Sequence, residues 1–326
     1  MALTQVPSSM LANSGAELGM RNRIINGGMS ISQRGTTFTS VGTNPPTYTL
    51  DRWFGFRGGY AANLDVSQQT GFSGFQSCLR MQRTSGTSST AGLNINQNIE
   101  TNNCYDLAGK TVVVSLVVRA GSNYSGGQLG VQVQTSTTAN DTSANVANGT
   151  FTAGGFSNTF TISTTASSIT LSGAIPSNAQ TVNLQIYYLP TGTAGANDYV
   201  EITGVQLEVG SNATPFERRL YGQELMLCQR YYWKSAGVNS GFPYIYGSGF
   251  TATAYVSANV SFPVQMRTTP TINKYGTWSV SGCGQPSVTG VDQNGFTLYV
   301  SATGATNVAC GPSGSTTYLD TSGAEL

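Results

Sequence analysis

Hydrophobic and polar positions alternate with a period of two over most of the chain between Arg21 and Phe216, the signature of strands with one buried face. Leu129, Val131 and Val133 fall on one side of a strand and Gln132 and Gln134 on the other. Val182, Leu184, Ile186 and Tyr188 repeat the pattern, with Asn183 and Gln185 turned outward. Over Tyr199 to Val209 the alternation shifts at Gly204, which predicts a bulge between Val200/Ile202 and Val205/Leu207/Val209. Val112 to Val118 is apolar on both faces, as a central strand covered on each side would be. Turn residues such as Asn123, Gly126-Gly127, Gly154-Gly155 and Pro190 to Gly195 separate these runs, and many short strands so punctuated predict a sandwich or jelly roll.

One segment breaks the period. Pro215 to Lys234 carries six charges, with Leu220, Glu224, Leu227/Cys228 and Tyr231 at spacings of three and four, which predicts a short helical connector. Alternation then resumes from Phe250 to Phe262, with Val256, Ala258 and Val260 on one side and Tyr255, Ser257 and Asn259 on the other. Further strands are expected at Thr277 to Ser281 and Phe296 to Ala302, the latter after the turn Asp292-Gln-Asn-Gly295. The expected organisation is an all-β chain: a leader over 1–20, a jelly-roll β-sandwich over 21–216, a helical connector over 217–239 and a smaller C-terminal β-sandwich over 240–326.

Composition narrows the function. Only 9% of the 326 residues are charged, 15 Lys and Arg against 14 Asp and Glu, for a net charge of +1. Such a balance leaves no electrostatic footprint for nucleic acid or an anionic membrane, and no apolar run approaches a membrane span. Histidine is absent, which removes imidazole acid–base chemistry, Ser-His-Asp triads and His-ligated zinc. The five cysteines, Cys78, Cys104, Cys228, Cys283 and Cys310, show no CxxC spacing. Cys283 and Cys310 are placed to pair across a hairpin; reduced, buried thiols are the alternative. With 39% hydrophobic residues, 16 Tyr and 13 Phe, the chain has material for a core.

The first ten residues have no basic stretch and no continuous apolar run, so a secretory signal is not expected. The leader carries only scattered apolar residues, Leu3, Val6, Pro7, Met10 and Leu11, and could not bury itself. It reads as a docking peptide, the alternative being packing on its own domain.

Three stretches, taken together, carry a resemblance. They are Arg23-Ile-Ile-Asn-Gly-Gly-Met-Ser-Ile-Ser-Gln-Arg-Gly35 with Tyr48-Thr-Leu-Asp-Arg-Trp53; Ile202-Thr-Gly-Val-Gln-Leu-Glu-Val-Gly210 with Thr214-Pro-Phe-Glu-Arg-Arg219; and Leu227-Cys-Gln-Arg-Tyr-Tyr-Trp233. In this order they resemble tailed-phage structural proteins (tail fibres, appendages, head fibres) built around a jelly roll similar to carbohydrate-binding modules. The opening Met1-Ala-Leu-Thr-Gln-Val-Pro-Ser-Ser-Met10-Leu is similar to leaders by which phage fibres attach to the particle, and Phe262 to Pro270 resembles the link into a terminal β-domain. The resemblance implies a virion component that is not an enzyme, attached through residues 1–20 to other virion proteins, assembled as a homotrimer and able to contact host-surface polysaccharide. A head-decoration or cement protein, and a free glycan-binding or glycan-degrading protein, are the alternatives.

Candidate residues follow. Asn26-Gly27-Gly28 reads as a tight turn needing positive φ. Asp51 and Arg52 offer a charge pair beside Trp53, and Glu208, Glu217, Arg218 and Arg219 a second ionic cluster, both read as structural. Tyr60, Tyr124, Tyr187, Tyr244, Tyr246 and Trp278 are candidate platforms for sugar rings; Tyr244, Tyr246 and Trp278 are the favoured three. A glycosidase would need two carboxylates across a cleft, for which Asp198, Glu201, Glu208 and Glu217 are the candidates. No cofactor is expected beyond a structural calcium ion of the kind similar jelly rolls hold, with Asp106 and Asp198 as candidate ligands.

Overall fold

The computed structural model describes residues 20–42, 45–57, 64–235, 245–249, 251–314 and 316–326. The leader residues Leu3, Val6, Pro7, Met10 and Leu11, and Tyr60 and Tyr244, lie outside them. The chain divides into two compact units between Leu220 and Tyr221.

The first unit is a jelly-roll β-sandwich. Numbered along the chain, its strands are β1 (Thr37–Phe38), β2 (Thr47–Tyr48), β3 (Phe54–Arg57), β4 (Leu64–Thr70), β5 (Ser77–Arg83), β6 (Leu93–Ile99), β7 (Thr111–Ala120), β8 (Gln128–Ser136), β9 (Gly154–Thr161), β10 (Ser167–Ala174), β11 (Thr181–Tyr188) and β12 (Tyr199–Val209). They form two antiparallel sheets, ordered β1-β4-β5-β12-β7-β10 and β2-β3-β6-β11-β8-β9. The inner faces meet in one core that includes Trp53, Leu79, Val114, Leu116, Val131, Leu184, Ile186 and Ile202. Alternation explains the assignment: Leu129, Val131 and Val133 are fully buried while Gln132 and Gln134 sit on the other face. β7 is central, between β12 and β10, and its second face is also covered, with Val113 buried.

The bulge in β12 falls where the alternation shifts. Gly204 has φ +60°, and the register with β7 slips between Thr203 and Gln206. Pairing with β5 stops at Ile202. Beyond it the segment 22–27 takes over: the Arg23 N–H donates to the Leu207 carbonyl at 2.8 Å and the Val205 N–H to the Gly27 carbonyl at 2.9 Å. Asn22 reinforces this by donating to the Val205 carbonyl at 3.0 Å and accepting from the Leu207 N–H at 3.1 Å. Glycine at 27 is required by approach, because a Cβ there would lie 2.1 Å from the Val205 oxygen. Within the expected turn Asn26-Gly27-Gly28 the positive φ falls on Asn26, at 57°, and Met29 beyond it also takes 57°. The Asn26 side chain accepts from the Ile31 N–H and donates to the Ile31 and Asp51 carbonyls, so this turn and the one preceding Trp53 are held together.

Gly154-Gly155, expected as a turn, instead opens β9; a Cβ at 155 would lie 2.0 Å from the Val133 oxygen. Two short helices are not anticipated by the sequence pattern: α1 (Thr101–Cys104) and α2 (Ser143–Ala147).

The second unit opens with α3 (Tyr221–Gln229), while Pro215 to Leu220 is not helical. Eight strands follow: β13 (Ile245–Gly249), β14 (Tyr255–Ser261), β15 (Thr271–Tyr275), β16 (Trp278–Ser281), β17 (Ser287–Thr289), β18 (Gly295–Ser301), β19 (Thr306–Pro312) and β20 (Tyr318–Ser322). They form the sheets β13-β19-β16, β14-β18-β17 and β15-β20. Their core gathers Trp233, Phe262 and Phe296, with ring centroids 5.5 to 6.1 Å apart, around Met266, Leu298 and Val308. The predicted turn before β18 is formed, with the Asp292 carboxylate accepting the N–H groups of Asn294 and Gly295. All five cysteines are buried and free, so the structure takes the reduced alternative for Cys283 and Cys310.

Two predictions follow from this packing. Gly27→Ala should destabilise the first unit by roughly 1–3 kcal/mol, the range for overpacking, read as a lower Tm; an unchanged Tm would mean that the 22–27 segment does not lock β12. Burial pushes the thiols of Cys78 and Cys104 up to about 12 and that of Cys310 to about 11. Their raised values stabilise the fold fully below the ordinary thiol value of 9.0 and progressively less above it, since only the unfolded chain then releases the proton. Denaturant titrations should show stability falling as pH rises from about 9 towards 12, and Cys78→Ala with Cys104→Ala should flatten the slope. A slope unaltered by both substitutions would contradict this.

Candidate functional site

The outer face of the second sheet concentrates side chains suited to binding an uncharged polar ligand. Because Val182, Leu184, Ile186 and Tyr188 of β11 point into the core, Asn183, Gln185 and Tyr187 must occupy the opposite face. The register places Asn98, Asn96 and Asn94 of β6 beside them on one flank, and Gln134, Gln132 and Gly130 of β8 on the other. Ser157 and Thr159 of β9 continue the rows and are exposed. The result is an array of amides and hydroxyls without a charged residue.

Tyr187 gives the array an aromatic surface on β11. A Cβ at Gly130 would lie 2.3, 2.4 and 2.7 Å from three carbons of the Tyr187 ring. Near-equal distances to three ring carbons mean that the ring covers Gly130 with its face, not its edge. Glycine at 130 thus lets the ring lie down on the sheet, and the ring's other face is directed away from it.

The amides are deeply set. Asn96 and Asn183 are fully buried and Gln185 is 8% exposed. Asn183 donates to Asn98 Oδ1 at 2.7 Å, and Gln185 to Asn96 Oδ1 at 3.2 Å. Three buried atoms of this face have no hydrogen-bond partner: Asn96 Nδ2, Asn183 Oδ1 and Gln134 Oε1. Each such atom represents roughly 1–3 kcal/mol of unmet hydrogen bonding, and here they comprise one donor and two acceptors on neighbouring strands.

One side of the face is covered by the connection from β8 to β9, residues 137–153. Asp141 anchors it, its carboxylate accepting from Ser136 Oγ at 2.5 Å and Asn145 Nδ2 at 2.6 Å, and its N–H donating to Thr181 Oγ1 at 3.0 Å. The Asp141 carbonyl accepts from Asn98 Nδ2 at 3.1 Å. Farther on, Val146 of α2 and Phe151 pack on Phe54 and Phe56 of β3. β3 lies on the side of the sheet opposite β9, so this strap crosses the face and returns.

The remaining sequence candidates sit elsewhere. Trp278 is 2% exposed, inside the second core, so it offers no platform; the apolar environment of β16 claims its ring. Tyr124 packs on Tyr188 with centroids 5.1 Å apart and donates to the Gln128 carbonyl, and burial raises the value of its hydroxyl. It too is part of the packing. Tyr246 is 73% exposed on β13. Trp53 is fully buried and donates to the Asn26 carbonyl at 3.1 Å. Asp51 accepts the backbone and side-chain N–H groups of Gln33 at 2.6 Å, while Arg52 donates to the Asn98 carbonyl at 2.7 Å.

The cluster expected of Glu208, Glu217, Arg218 and Arg219 is only partly ionic. Glu208 accepts from Gln206 at 2.8 Å and from the N–H and hydroxyl of Thr214. Glu217 accepts the Asn22 N–H at 2.6 Å and meets Arg219 at 3.7 Å. Arg218 lies apart, over the Phe75 ring at 4.7 Å and bonded to the Gly74 carbonyl. These residues fasten the chain around β12.

The other carboxylates are engaged in the same way. Asp198 meets Arg83 at 2.8 Å and accepts from Ser125, both ends of the ion pair being buried. Glu201, fully buried, lies between Arg80 at 2.6 Å and Arg119 at 2.5 Å. Asp106 pairs with Arg23 at 2.5 Å. Among the described residues no three His, Cys, Asp or Glu side chains come together as a metal site.

No family model and no curated protein matches the chain. Among solved structures, a CBM4 structure matches at 16% identity and a TM-score of 0.36, covering 57% of this chain and 98% of that one. The module TmCBM61, solved in complex with β-1,4-galactotriose, matches at 12% identity and 0.35, covering 58% and 99%. The enzymatically active domain of tailspike protein 4 of bacteriophage CBA120 matches at 11% and 0.36, covering 58% of this chain and only 22% of that one.

The packing of Tyr187 on Gly130 yields a direct prediction. Gly130→Ala should leave the Tm nearly unchanged, because the obstructing atoms belong to a mobile side-chain tip, while the Tyr187 ring swings off the sheet. Ring-current shifts at the amide of residue 130 report the ring's position; their persistence in the variant would contradict the stacked geometry.

Proposed function

We propose that the protein is a glycan-binding structural component of a phage particle, and that the outer face of the second sheet holds the glycan. The observation that carries the binding reading is Tyr187 lying face-down on Gly130 among uncharged amides. A sugar ring presents an apolar C–H face, which an aromatic face covers, and a rim of hydroxyls, which amides and hydroxyls satisfy in both directions. No charge is needed, and among the described residues the outward rows of β6, β11, β8 and β9 carry none. On this reading the platform is Tyr187, in the jelly roll, and Tyr246 is a secondary contact in the second unit.

The particle part of the reading is supported by the leader and the three sequence stretches that resemble phage fibres and appendages. It entails attachment through residues 1–20, with homotrimeric assembly. A head-fibre or decoration role has the same requirements and differs in where the leader docks. The protein is proposed to act without catalysis: the carboxylates of Asp198, Glu201 and Glu208 are taken up by arginines, serine, threonine and glutamine within the fold.

Two experiments test the proposal. On an array of bacterial-surface and β-linked oligosaccharides, Tyr187→Ala should lose about tenfold in affinity, equivalent to about 1.4 kcal/mol, and Gly130→Ala should lose a similar amount. Binding unaffected by either substitution would refute this face as the site. A chain without residues 1–20 should fold and remain unassembled on particles, whereas its incorporation would refute attachment by the leader.

A further inference from the structure

We infer that the face takes the end of a glycan chain, not its interior; this rests on the glycan-binding reading of the same face. The strap formed by residues 137–153 leaves β8 after Ser136 and rejoins the sheet at Gly154, and between these points it reaches β3. It therefore closes the face at the end of β8 marked by Ser136 and on the β6–β3 side. What stays open lies over β11, β8 and β9, where Tyr187 and Gln132 are half-buried and Ser157 and Thr159 exposed. Two inter-strand spacings amount to roughly 10 Å, enough for about two or three sugar rings. A chain entering over the β9 edge meets the strap after that distance and must stop.

The test measures affinity against chain length by calorimetry, with oligosaccharides of two to six residues made from the best-binding array glycan. Affinity should stop rising at about three residues in the native protein, and capping the terminal hydroxyl as its methyl ether should reduce it at least fivefold. In Val146→Ser/Phe151→Ser, which detaches the strap from Phe54 and Phe56, the longer oligosaccharides should gain affinity over the trisaccharide. An affinity that climbs with each residue to six in the native protein, or indifference to the methyl cap, would overturn the chain-end reading while leaving glycan binding intact. Absence of binding to every glycan on the array would instead overturn the glycan reading and this inference with it.

Discussion

Burying uncharged amides on the outer face of a sheet is tolerable only where each nitrogen and oxygen finds a partner. The jelly roll meets this condition with amide-to-amide bonds between neighbouring strands, Asn183 to Asn98 and Gln185 to Asn96, and with the strap carbonyl at Asp141 that accepts from Asn98. Among the described residues the condition fails on this face at three atoms on neighbouring strands, Asn96 Nδ2, Asn183 Oδ1 and Gln134 Oε1. A sheet that needed only to be stable would do better with Thr or Val at those positions. The unmet hydrogen bonds, on the same face as an aromatic ring laid flat, set this face apart.

The few charges serve a different end. Arg83 donates to Asp198, Ser125 and the carbonyls of Thr87, Ser89, Thr191 and Gly192, gathering two loops around one buried guanidinium. Glu201 joins β5, β12 and β7 through Arg80 and Arg119, whose guanidinium groups lie over Tyr199 and Phe72. With a net charge of +1 and most of these ions committed inside the first unit, recognition falls to hydroxyls, amides and rings.

Much of this was legible in the sequence because strand period is a local signal. The inward set of β8 and β11, the two-sided β7, the bulge at Gly204 and the all-β class all follow from short-range alternation and a single glycine. The same alternation separates Tyr187 from Tyr188, since neighbours on a strand face opposite ways. Burial of Trp278 was not legible, because its short strand, Trp-Ser-Val-Ser, reads equally well with the ring inside or outside. Nor was the strap: Phe151 and Phe54 lie far apart in sequence, and their contact depends on the order of strands in the sheet. The glycine at 130 carried a signal in hindsight, as an unforced glycine within a clean β pattern points to a close approach by another group.

The most direct test of the central claim is chemical-shift mapping during titration with a bound oligosaccharide. The account predicts that the side-chain amide resonances of Asn96, Gln132, Gln134 and Gln185 shift together with the Tyr187 ring, while the second unit stays unperturbed. Shifts confined to Tyr246, Tyr255 and their neighbours in the second unit, with the jelly-roll face silent, would contradict it.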